Sequence, residues 1–78
     1  MKIVRIDLID MAYNSDTWKR HELHLFKPVH LSSVGFLIEE REDCYIISKD
    51  YQPDEDTFRH LSAIPKVIVT KITTLRNK

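Results

Sequence analysis

A chain of 78 residues, in which twelve Lys and Arg balance twelve Asp and Glu, has room for one domain, and its single cysteine excludes an intrachain disulfide. Zero net charge excludes the global positive field that holds nucleic acid nonspecifically through counterion release. A domain of this size buries only a little over about 60% of its unfolded surface, so its core is thin and oligomerisation is the favoured remedy. One lone Cys, no apolar segment behind Met1 and no apolar run near the roughly 20 residues of a membrane span point to a soluble, cytoplasmic setting.

The first segment, Lys2–Asp10 (KIVRIDLID), sets Val4, Ile6 and Leu8 on one face and Arg5 and Asp7 on the other, which predicts a strand. Ile3 and Ile9 on the polar face imply partial cover from a neighbour. Residues 11–27 open on the turn formers Asn14, Ser15 and Asp16 and continue as TWKRHELHLF. This predicts a short helix within residues 16–26, capped by Ser15 or Asp16, with Trp18, Leu23 and Phe26 packing on the sheet. Pro28 ends it, because its ring removes a donor and biases Lys27 away from the α region.

Residues 29–41 (VHLSSVGFLIEER) alternate again, and the only glycine, Gly35, sits inside that strand. A strand-interior glycine marks a bend, a bulge or a close backbone approach. The polar run 39–43 predicts a tight turn, and CYIISKDY returns as the next strand. After the acidic loop QPDED, TFRHLSAI reads as a short strand interrupted by Pro65 and Lys66, and residues 67–75, rich in β-branched side chains, as the last. The expectation is a single all-β domain over residues 1–78: a five-stranded curled sheet or small barrel with a short helical insertion after the first strand.

Charge is unevenly spread: residues 1–38 sum to +1, 39–56 to −6 and 57–78 to +5. The acidic middle and basic end can face each other between protomers, the basic end can form a phosphate-binding stripe, or both can be solvated strand faces.

Residues 34–75 resemble the Sm-like family: a long bent strand carrying a glycine (VGFLIEE), a tight turn, a return strand (CYIISKD), a variable loop and two strands meeting at a one-turn connector (HLSAIPKVIVTKI). The small phage-encoded members, with their VGFL(I/V)EE and IPK-type patterns, are the most similar, and SH3-like barrels share the bent hairpin. The resemblance implies a ring in which the penultimate strand of one protomer pairs with the last strand of its neighbour. Here those surfaces fall near residues 57–64 and 67–74, with Phe58, Leu61, Ile68 and Ile72 as candidate interface residues, and neither segment bears an acidic side chain. The resemblance also implies single-stranded RNA, or another nucleic acid, as a ligand near the pore. This chain departs from the family's RNA-binding turns: Glu40, Arg41, Glu42 and Asp43 occupy the first, and Pro65-Lys66 replaces Arg-Gly in the second. Lys66 is the remaining phosphate contact, with His60 and Arg59 beside it.

Other constellations weigh toward structure. His21-Glu22-Leu23-His24 places two imidazoles three apart, but it is not H-E-x-x-H and has no further Cys nearby in sequence. Cys44 has no adjacent base and reads as a small hydrophobe. Trp18, Tyr13 and Tyr51 can stack on bases, yet packing is their commoner role. The pairs Glu39/Glu40 and Asp54/Asp56 lie in polar turns without the apolar pocket that raises a carboxyl pKa. The reading is a non-enzymatic homo-oligomer without cofactor, metal, membrane or small-molecule substrate, or else an SH3-like module that recognises a peptide.

Overall fold

The apolar face of the first strand is the centre of the core in the computed structural model of this chain, which describes residues 1–77. Strand β1 (Lys2–Asp10) buries Val4, Ile6 and Leu8 and leaves Arg5 and Asp7 on its other side, as its alternation demands. These three side chains meet Ile47 and Ile64, with Leu37, Tyr45, Ile68 and Val69 packed around them. Among the described residues five hydrophobic side chains are buried, against thirteen large ones that remain exposed, so the core is thin.

The remaining strands are β2 (Val29–Glu40), β3 (Cys44–Gln52), β4 (Thr57–Pro65) and β5 (Val69–Asn77). All pair antiparallel in one sheet of order β4-β3-β2-β1-β5. The chain is therefore all-β, with five strands. The sheet is open, and β4 and β5 are its two edges.

Strand β2 serves two ladders. Residues from Val29 to Phe36 pair with β1, and those from Phe36 to Glu40 pair with β3. The changeover falls at Phe36, next to Gly35, where a Cβ on the glycine would stand 2.7 Å from the Ser48 carbonyl oxygen and 3.3 Å from its carbon. The glycine is thus required for a close backbone approach. A register shift between Leu37 and Glu39 follows directly, adding the irregularity that turns the strand.

The bend continues into β4. Ser48 is wholly buried, and its hydroxyl is shared between the carbonyls of Asp50 and Arg59, 2.6 Å from each. It also accepts from the Asp50 N–H at 3.3 Å. Opposite, His60 has φ of 58°, in the left-handed region that non-glycine residues seldom occupy, and no ladder pair forms between the Ser48/Leu61 and Asp50/Arg59 levels. The Ser48 hydroxyl thus serves backbone groups where the ladder is interrupted.

Two sequence expectations need correction. The insertion after β1 holds only a 3-10 helix, Arg20–Leu25, which starts behind Lys19 with no side-chain cap, so neither Ser15 nor Asp16 caps it. Asn14 instead closes a local turn, its Oδ1 accepting from the Asp16 N–H at 2.7 Å and from the Trp18 indole at 3.2 Å. Trp18 packs on Phe26, 5.4 Å between ring centroids, and Leu23 is exposed where packing on the sheet was expected. The last strand begins at Val69, because Lys66–Ile68 forms a 3-10 turn closed by the Val69 N–H on the Lys66 carbonyl. Val67 is left 93% exposed while Ile68 packs against the core, so the tight connector overrides the strand preference of both.

Candidate interaction surfaces

The four residues expected at a subunit interface divide into two pairs. Leu61 on β4 and Ile72 on β5 are exposed, at 59% and 36%, on the two edge strands. Phe58 is engaged within the protomer: it stacks on Tyr51 at 5.0 Å, and Phe36 meets Tyr51 edge-on at 6.1 Å. Ile68 belongs to the margin of the core. Alternation along a strand cannot separate these pairs, because Phe58 is taken up by a β3 residue across the hairpin.

The three expected phosphate contacts are likewise not one site. Arg59 and His60 flank the Asp50 carboxylate, at 3.8 and 3.6 Å. Lys66 lies at the other end of β4: Arg59 pairs with Asp50 and Pro65 with Cys44, about 20 Å apart along the ladder. Its Nζ donates to Glu40 Oε2 at 2.7 Å and sits 5.1 Å from the centre of the Tyr45 ring. The hydrogen bond to Glu40 raises the Lys66 pKa, with the charge of Glu40 adding to it and desolvation opposing it. A backbone bond from the Lys66 N–H to the Asp43 carbonyl at 2.8 Å completes a latch between the connector and the β2–β3 turn. The lysine read from sequence as a phosphate contact is thus paired with one carboxylate of the acidic turn, Glu40.

The remaining polar constellations have local partners. Glu39 pairs with Arg41 at 3.3 Å, raising the arginine pKa, and the Tyr51 hydroxyl donates to Asp56 at 3.2 Å. His24 Nδ1 lies 2.9 Å from the His21 carbonyl, and among the described residues no three His, Cys, Asp or Glu side chains converge as a metal site would require. Burial, then Asp43, pushes the Cys44 thiol pKa up, which disfavours the nucleophilic thiolate.

Sequence reasoning missed one concavity, a half-open groove of about 250 Å³ lined by Asp50, Tyr51, Gln52, Pro53, Thr57 and Arg59. It lies at the β3–β4 turn, where the sequence offers only a polar loop as a signal. No helix among the described residues is long and apolar enough to cross a membrane. No protein-family model, curated protein or solved structure matches this chain.

Proposed function

We propose that this chain is a non-enzymatic assembly subunit, an Sm-like barrel component that closes into a homo-oligomeric ring and presents a face to nucleic acid or protein. A cytoplasmic phage accessory protein is the setting that the sequence resemblance suggests. The observation that carries the proposal is the open sheet. Its two free edges are β4 and β5, the pair that the resemblance assigns to ring contacts, and an unpaired edge is a liability that a neighbour's strand removes. Leu61 and Ile72 supply exposed apolar side chains along those edges.

Size agrees with this reading. A compact monomer of 9.3 kDa exposes about 5,000 Å² and one of 78 residues has a radius of gyration of about 11.5 Å. This protomer exposes 6311 Å² and has a radius of gyration of 16.2 Å. For nucleic acid, Arg59 and His60, exposed on the β4 edge beside Asp50, are the candidate contacts, and Lys66 is engaged by Glu40.

One observation favours the second reading, an SH3-like peptide module: the groove beside Tyr51 at the β3–β4 turn. Molar mass by light scattering on a sizing column, at two salt concentrations and on protein stripped of nucleic acid, separates the two. A single species several times 9.3 kDa is expected. A monomer at both salts rejects the ring and leaves the peptide module.

A further inference from the structure

The insertion between β1 and β2 is longer than the fold requires. Asp10 and Val29 are direct partners across the β1–β2 ladder, a geometry that a two-residue turn can close. Eighteen residues, 11–28, stand there instead. They carry Met11 and Tyr13, each 84% exposed, with Leu23, Leu25 and Phe26 also open to solvent. No residue of the 3-10 helix is buried. Ordering such a segment costs conformational entropy, and the protomer offers little apolar burial to offset it.

The position of this arm relates it to the proposed ring contact. It leaves the sheet just beyond Leu8, which pairs with Val69, the first residue of β5. The arm therefore starts beside the edge along which a neighbour would add its β4. That edge-to-edge contact alone is narrow. His60, with its left-handed backbone, splits β4 into two short stretches, residues 57–59 and 61–65, and Pro65 at the end of the second has no N–H to donate. A few backbone hydrogen bonds leave most of the surplus surface uncovered: the protomer exposes roughly 1,300 Å² more than a compact chain of its mass, while a stable interface covers about 800 Å² per partner.

We propose that residues 11–28 form an arm that docks on a second copy of this chain, supplying the apolar area that the edge pairing lacks. The inference rests on the homo-oligomer reading and assigns a part of it to a segment outside the sheet. A second copy fits electrostatically: the arm sums to +1, the β3–β4 turn carries Asp54, Glu55 and Asp56, and zero net charge leaves no overall repulsion between copies.

The test compares three proteins by light scattering over a hundredfold dilution, with far-UV circular dichroism and a thermal melt as controls of folding. They are the full chain, a variant with residues 11–28 replaced by Asn-Gly, and the full-length double variant Tyr13→Glu/Leu25→Glu. The expected result is an oligomeric full chain and two folded variants whose assemblies dissociate at a concentration at least tenfold higher, or do not form. The double variant decides alone if the shortened chain does not fold, because both side chains are exposed in the protomer. An oligomeric full chain with variants of unchanged mass and dilution behaviour overturns the arm contact and leaves the edge-paired oligomer standing. A monomeric full chain, its arm free for some other occupant, overturns both.

Discussion

Replacing Gly35 with alanine tests whether the β2–β3 approach holds the two ladders together. The alanine Cβ would stand 2.7 Å from the Ser48 carbonyl oxygen, a separation that real Cβ atoms essentially never show, and the obstacle is backbone rather than a flexible side chain. Strand β3 must move, and Ser48 with it, although its hydroxyl is shared by two carbonyls. Overpacking of this kind costs about 1–3 kcal/mol. Against it stands the reduced freedom of the unfolded chain, which favours alanine by about 0.4–1 kcal/mol where the backbone is compatible. Gly35 has no positive φ, so that opposing contribution applies in full. The net loss is on the order of 1–2 kcal/mol, or a fall in Tm of about 5–15 °C for a domain of this size. Thermal unfolding by circular dichroism, at one protein concentration because the proposed assembly would shift Tm, measures it. A variant that melts within 2 °C of the parent by this estimate, or above it, would refute the close approach as the reason for the glycine.

Three further outcomes follow from the same geometry. Ser48→Ala leaves the Asp50 and Arg59 carbonyls without their shared buried donor and should lower stability by about 1–3 kcal/mol, read from the urea midpoint. Because Glu40 raises the folded-state pKa of Lys66 above its ordinary 10.5, the latch contributes fully below that value and is lost as pH rises through the folded pKa; Lys66→Met should flatten the alkaline decline in Tm. Ile72→Lys, on the exposed edge, should dissociate the proposed oligomer while leaving the circular dichroism spectrum intact, whereas Ile68→Lys, at the margin of the core, should unfold the chain as well. Equal behaviour of these two variants would contradict their placement.

The sequence by itself determined what depends on local periodicity. Val4, Ile6 and Leu8 had to share a face because a strand has a period of two, and they are the core. The polar run 39–43 signalled a turn, which falls at residues 41–43, and the lone glycine within a strand signalled a bend, a bulge or a close approach, of which the close approach to Ser48 is present. The all-β class and the five strands followed from those same local signals. Tertiary structure alone decided the rest, because it depends on what lies across the sheet. Nothing near Phe58 in the chain says that Tyr51 takes up its ring and removes it from the edge. Lys66 reads as a free cation until Glu40, 26 residues earlier, is brought within 2.7 Å. Ser48 becomes the buried support of the bend only where β4 breaks its ladder at His60. The arm reads as an amphipathic helix while its Asn14 turn is out of view, and its exposed apolar residues emerge only once the sheet is seen to leave them no place in the core.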